Sequence, residues 1–349
     1  MPLVDLSFSF HQTVGLVIET DDVLAREFFQ AEYGPHAGPV GSLPTIHLRF
    51  QRQEALLSVP AGYTFHAHKI VARWAYRVAW RSDGLSLDCL GNRFSIPMIH
   101  HMLVHPSLRL LAARQGVLLL HAGAVSCRER SLLFTGKGGA GKTTTTALLM
   151  AYSPQPWSPH ADDYTFLGAG PVSYAYLTRS HLYSDLLRWI PSMRSHLSPG
   201  ERFRLSILGR VRAWSGERIK WPVRVSLNRL WPTRPFDLQS RPSGLIFLRR
   251  GPVDRPTLEP LIPGEAELNE LLEMNFYEAR HYLTLLNQCA GMSESQLSEW
   301  RQQEGRLINR SLQEIPVYRL TLPTRKISAA EFGPHLADLL DSQFAFSEV

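Results

Sequence analysis

The run Gly136-Lys137-Gly138-Gly139-Ala140-Gly141-Lys142-Thr143 limits what this chain can fold into more than any other feature. Two glycines four residues apart, followed by Lys and Thr, form a loop whose backbone curls around phosphate oxygens. Such a loop needs a strand before it and a helix after it. Both are legible here. Ser131–Thr135 is apolar enough for a buried strand, and Lys142 to about Tyr152 reads as a helix. The Thr run that opens the helix is a poor helix former, so packing or a ligand must hold its first turn. Upstream, Val117–Val125 is apolar and β-like, and polar Cys127–Arg130 separates it from the loop strand. This is a hairpin pattern. A turn centred between Arg128 and Glu129 would set His121 opposite Gly136, at the mouth of the loop.

The chemistry follows from residue type. Loop glycines let successive N–H groups converge on phosphate, and the following helix N-terminus adds favourable partial charge. Gly136, Lys137, Gly138, Gly139, Ala140, Gly141, Lys142, Thr143 and Thr144 are therefore the expected binding residues for ATP and Mg²⁺. Lys142 would reach the β- and γ-phosphates, and the Thr143 hydroxyl would hold the metal. Some twenty residues on stand adjacent carboxylates, Asp162 and Asp163. Phosphoryl transfer to a hydroxyl needs positioning, charge neutralisation and a proton acceptor. One carboxylate can accept the proton, the other can serve the metal, and a nearby imidazole can orient the first.

The order LLLHAGAV, turn, LLFTGKGGAGKT, then Asp-Asp resembles the HPr kinase/phosphorylase C-terminal domain and its HPr-kinase-like relatives. These share the phosphoenolpyruvate-carboxykinase type of phosphate-loop fold. The resemblance covers roughly residues 97–340, and its specific part is 117–167. It implies a catalytic set of Asp162, His121, Asp163 and Lys142. In that set Asp162 is the general base, His121 its support, and Asp163 joins Thr143 in the metal shell. It also implies a serine kinase, and relatives that are often oligomers suggest a homo-oligomer. No Glu-Leu-Arg-Gly-Leu-Gly run follows downstream, which turns the expected acceptor from HPr to another peptide or protein, such as a ribosomal-peptide precursor. The loop also resembles that of the ParA/MinD ATPases through Lys137, which would make the chain an ATPase switch. A non-catalytic nucleotide-binding scaffold is a third reading.

With 349 residues, 44% of them hydrophobic, the chain can bury a sizeable core. The expected fold is mixed α/β: an α+β module over 1–95, then the phosphate-loop domain over 96–349. In the module, strands are expected at Val14–Glu19, Ile46–Phe50, Lys69–Val78 and Leu85–Leu90, with a helix from Val23 to Tyr33. A helix over Pro97–Arg114 should be kinked at Pro106. Further helices are expected at Leu182–Ile190, Glu265–Met274, Tyr277–Leu286, Ser293–Gln303 and Ile327–Leu340, the last broken at Gly333-Pro334. Strands are expected at Val172–Leu177, Leu245–Leu248 and Pro316–Leu322. His66, His68, His101 and His105 lack cysteine or acidic partners at metal spacing and read as solvated or satisfied.

Net charge is +6, which favours anionic partners. The excess is concentrated in residues 179–234, where twelve Arg and Lys face three acidic residues with tryptophans interleaved. This basic, otherwise irregular stretch is expected to dock an anionic peptide or protein substrate in preference to nucleic acid. Three scattered cysteines suggest no disulfide framework, and the start MPLVDLSFSFHQ suggests no secretion signal. The expectation is a cytoplasmic protein without a membrane partner.

Overall fold

The computed structural model describes residues 4–54, 61–63, 65–69, 71–216, 221–290, 293–324 and 329–344. It is a mixed α/β chain that divides into two compact units. The first begins with β1 (Val4–Phe10), β2 (Val14–Thr20), α1 (Val23–Tyr33), β3 (Thr45–Arg52), β4 (Phe65–Lys69), β5 (Ala72–Arg81) and β6 (Gly84–Gly91). Its six strands lie in the order β1-β2-β3-β6-β5-β4. The central pairs β2–β3 and β3–β6 are parallel, and the flanking pairs are antiparallel. Alternation in β1 buries Phe8 and Phe10, and Leu16, Ile18, Leu48 and Phe50 continue the same core. Asp22 starts α1 by accepting the Ala25 N–H at 2.7 Å. The expected helix over Pro97–Arg114 is three pieces: α2 (Ile96–Ile99), a π turn at His100–Val104 and α3 (His105–Arg114), with Pro106 in the first turn of α3. Proline is tolerated there because the N–H it lacks would have no helical partner.

The second unit carries the phosphate loop. After β7 (Leu118–Leu120) come β8 (Ala122–Cys127), β9 (Arg130–Thr135) and α4 (Lys142–Tyr152). Next are β10 (Ser158–Ala161), β11 (Thr165–Gly168), β12 (Val172–Tyr174), β13 (Ser180–Leu182), α5 (Leu186–Trp189), α6 (Pro199–Trp214), β14 (Val223–Val225) and α7 (Leu227–Leu230). The 13-residue β15 (Gln239–Gly251) and β16 (Thr257–Pro260) follow. After α8 (Glu265–Ala290) and α9 (Glu294–Glu314), the chain closes with β17 (Val317–Pro323) and α10 (Ala329–Gln343). β15 runs parallel to both β9 and β17. β8 is antiparallel to β9 and to β10, so β9 and β10 point the same way. Their carboxyl ends therefore come out together, on the edge where open α/β sheets bind ligands. α4 packs on this sheet through Leu148 and Leu149, within a core shared with Phe134, Ile246, Leu320 and Leu336.

The hairpin has the expected register. Ala122 faces Thr135 and Cys127 faces Arg130, leaving Arg128 and Glu129 as a two-residue turn. Both turn residues have positive φ, 49° and 63°, as a type I′ turn requires.

Several expectations are corrected. The domain boundary does not fall at residue 95: the first unit is Met1–Leu119 with Leu268–Arg310, and the second is Leu120–Glu267 with Ser311–Val349. The reason is tertiary. Arg109 on α3 forms a buried ion pair with Glu304 on α9 and lies over the Phe276 and Trp300 rings, at 4.9 and 5.5 Å from their centroids. Ser107 and Tyr282 are hydrogen-bonded beside it. The two helices expected between Glu265 and Leu286 are one, and Pro334 lies inside α10 without ending it. Leu182 ends a strand, and the helix near it is the single turn α5. The basic stretch contains the 16-residue α6, started by a reciprocal Ser198–Glu201 capping box. Ile327, Glu217, Arg218 and Lys220 lie outside the described residues. Among the described residues, no helix is long and apolar enough to cross a membrane.

Two predictions test this account. Replacing the strained turn by Arg128→Asn with Glu129→Gly should stabilise the second unit by about 1 kcal/mol, read as a raised urea midpoint; an unchanged or lowered midpoint argues against the turn geometry. Glu304→Gln leaves the Arg109 charge buried without its partner and should cost about 3 kcal/mol, measured by the same unfolding experiment.

Candidate active site

Three strand ends bring the candidate residues together. His121 sits at the bend between β7 and β8, and its carbonyl accepts from Thr135 Oγ1 across the hairpin at 3.2 Å. Asp162 and Asp163 form the bend after β10. Gly123 allows this approach: a Cβ on it would meet the Asp162 carbonyl oxygen at 2.9 Å. The loop leaves β9 through Gly136 at φ 155°, with Gly139 at 84° and Gly141 at 111°. Side chains rarely tolerate such angles. A Cβ at Gly136 would also lie 2.9 Å from Ala140 Cβ. The Thr run is held by internal bonds: Thr146 Oγ1 donates to the Lys142 carbonyl at 3.2 Å, and Thr145 and Thr146 are buried.

Lys142 is buried, and its Nζ donates to the Gly136 carbonyl at 2.9 Å, so it lies back across the loop. The same Nζ is 3.9 Å from Asp163 Oδ1. His121 Nε2 is 2.9 Å from that oxygen, and its ring stacks on Tyr164 at 4.9 Å between centroids. Burial pushes the Asp163 carboxyl up. The His121 charge and hydrogen bond, with Lys142 and His181, more than reverse this and hold it well below the usual carboxylate range. Ionised, Asp163 can only accept, so His121 Nε2 carries the shared proton. The Asp163 side chain is 35% exposed and opens to solvent at the loop.

Asp162 turns the other way and is buried. Ser180 Oγ donates to its Oδ1 and the His181 N–H to its Oδ2, each at 3.0 Å, and Thr143 also hydrogen-bonds it. Burial foremost, and the neighbouring Asp163 charge next, push its carboxyl up to about 6, although these donors favour the charged form. A small cleft beside it is lined by Thr143, Met150, Ala161, Ser180 and Trp231.

The structure thus brings His121, Lys142, Thr143, Asp162 and Asp163 to one edge. The expected pairing of His121 with Asp162 is corrected: His121 pairs with Asp163, and Asp162 keeps to Thr143. Adjacent residues leaving a strand point their side chains apart, so the His121 hydrogen bond falls to Asp163. Lys137, Gly138 and Gly139 are exposed at the tip of the loop, and Ala140 N donates back to the Lys137 carbonyl at 2.9 Å.

Sequence reasoning missed five contributors. Tyr164 stacks on His121. Ser180 and His181 hold Asp162, and Arg224 Nε, facing His181 across the β13–β14 pair, donates to His181 Nε2 at 3.0 Å. Arg250, at the carboxyl end of β15, has Nη2 3.6 Å from where a Gly141 Cβ would stand. Only Tyr164, next to the doublet, had a local signal. Among the described residues, no cluster of three His, Cys, Asp or Glu side chains could hold a metal ion by itself. No protein-family model matches the chain, and no curated protein sequence matches it.

The raised Asp162 carboxyl has a testable sign. Folded, it takes its proton at about 6, against 3.8 in the unfolded chain. Stability therefore falls as pH rises through that window and stays lower above it. The stabilisation from Asp163 has the opposite sign, and it is lost only as pH falls through its lowered value, below this window. In the nucleotide-free chain without magnesium, the stability of wild type relative to Asp162→Asn should drop by about 2 kcal/mol between about pH 4.5 and about pH 7. Parallel urea-denaturation profiles for the two proteins would remove the buried-carboxylate argument.

Proposed function

We propose that this chain is an ATP/Mg²⁺-dependent phosphotransferase of the HPr-kinase-like kind, built on that family's phosphate-loop fold. It would move the γ-phosphoryl group to a hydroxyl, serine foremost, of a peptide or protein such as a ribosomal-peptide precursor. One observation carries the reading: the ionised Asp163, held by His121 Nε2 at 2.9 Å, opens to solvent 3.9 Å from the loop lysine. That is where an acceptor hydroxyl must meet a loop-bound phosphate.

The residues fit a triphosphate and its metal. Positive-φ glycines free the loop N–H groups for phosphate oxygens, and Lys142 and Arg250 add positive charge beside them. The Thr143–Asp162 pair matches the arrangement in which a loop hydroxyl and a strand-end Asp hold Mg²⁺. Bound there, the ion would neutralise charge on the phosphates. In the transfer, the hydroxyl oxygen bonds to the γ-phosphorus as the bond to the β–γ bridging oxygen breaks. The hydroxyl proton passes to Asp163, and ADP leaves. Transfer of this kind is loose, so positioning outweighs basicity, and a carboxylate held below its usual range can serve. Compared with the sequence expectation, the two carboxylates exchange roles: Asp163 is the base and Asp162 the metal partner.

The test uses γ-labelled ATP with serine-containing peptides, alongside direct ATP binding. Asp163→Asn should bind ATP within about threefold of wild type and lose transfer by about 100-fold or more. Lys142→Ala should weaken ATP binding by at least about tenfold. Asp162→Asn should raise the magnesium needed for half-maximal transfer. Near-full transfer by Asp163→Asn sinks the base assignment. ATP-dependent dimerisation that Lys137→Ala abolishes, with no phosphorylated product, would favour the ParA/MinD-type switch instead. Binding without any turnover would favour the scaffold.

A further inference from the structure

The basic stretch places one helix face in solvent without an evident use. On α6, Leu205 is buried, a Cβ on Gly209 would meet Ser184 Oγ at 2.5 Å, and Arg212 pairs with Asp185 at 2.8 Å. These three mark the inner side. Opposite them, Phe203 is 67% exposed, Ile207 42% and Trp214 88%. At 100° per residue these three fall within about 40° of one another and span about 16 Å along the axis. Arg210 lies in the same stripe, and Arg202 and Arg204 flank it on either side, all three exposed. Three large apolar side chains aligned in solvent form a patch of the kind that marks an interaction site.

We propose that the outer face of α6 docks an acidic helical segment of a partner protein, anchored by apolar residues at matching spacing. Charge selects the occupant. The stripe is framed and crossed by arginines, in a stretch carrying nine excess positive charges, so a second copy of the same face would be repelled. An acidic partner instead meets guanidinium groups able to bind carboxylates in a bidentate manner. Width argues in the same direction. A helix lying in a membrane interface presents a broad apolar face, whereas this stripe is a narrow seam with Arg210 inside it, the shape that a single partner helix fills. The proposal concerns a surface of the second unit and holds whether or not the phosphate loop transfers phosphate.

The experiment selects a displayed library of random 16-residue peptides on the full chain, then measures binding of the enriched peptides by fluorescence anisotropy. Enriched sequences should be net acidic, with apolar residues at i, i+3 or i+4. The triple variant Phe203→Ser, Ile207→Ser, Trp214→Ser should bind them at least about tenfold more weakly. All three residues are exposed, so the variant should keep the wild-type melting curve. Arg202→Glu with Arg204→Glu and Arg210→Glu should lose the same peptides and bind versions with Lys in place of Glu. The proposal is overturned if no sequence enriches, if the enriched sequences are neutral or basic, or if they bind the triple variant as well as wild type. It is equally overturned if α6-dependent sedimentation with phosphatidylglycerol–phosphatidylcholine vesicles, or an α6-dependent dimer, replaces peptide binding.

Discussion

The register of the β8–β9 hairpin decides where every other group of the candidate site lands. A shift of one residue would turn all the side chains of β8 to the opposite face. His121 would then leave the mouth of the loop, and Gly123 would no longer let the Asp162 backbone approach. Two non-glycine residues at positive φ hold that register, and the fold accepts their strain because the pairing of six residues on each strand depends on it. Because β8 is antiparallel to both neighbours, the same hairpin aligns β9 with β10 and gathers the carboxyl ends that carry the loop and the aspartates.

Placed one residue apart, Asp162 and Asp163 have opposite electrostatics. The difference arises from direction. Asp163 faces an imidazole and an ammonium, which together more than offset its burial. Asp162 hydrogen-bonds two hydroxyls and a backbone N–H, with the His181 ring further off at 3.8 Å, and these fall short of offsetting its own burial and the neighbouring charge. Neutral donors stabilise a carboxylate less than cations do at the same range. A doublet divided in this way can hold one group ionised towards solvent and keep the other as an inward partner for Thr143. Two equivalent carboxylates facing one way would compete for the same proton.

Much of this was legible in the chain. The loop, α4, the turn at Arg128–Glu129 and the placement of His121 are local: each is set by residue types within about a dozen positions. The single helix α8 and the division into units were not legible, because they depend on contacts such as Arg109 with Glu304 that join distant segments. β1 was missed although Phe8 and Phe10 alternate with serines, a pattern that period-two reading would catch. α6 was missed for a different reason. Its arginines and exposed aromatics mask the amphipathic period, while the Ser198-to-Glu201 capping signal stood in plain view.

The basic stretch shows why a charge count alone misleads. Part of its positive charge is structural: Arg212 is paired with Asp185, Arg229 with Glu201, and Arg234 donates to the Met150 carbonyl at 3.0 Å. Arg224 reaches towards the candidate site instead, through His181 to Asp162. Arg202, Arg204 and Arg210 take neither path and stand exposed on one helix. One compositional signal therefore divides into three physical roles: holding the segment together, supporting a buried carboxylate, and charging a surface. What each guanidinium meets separates them. A guanidinium that meets a carboxylate within the stretch has its charge matched locally, whereas those standing in solvent on α6 can attract a partner from outside.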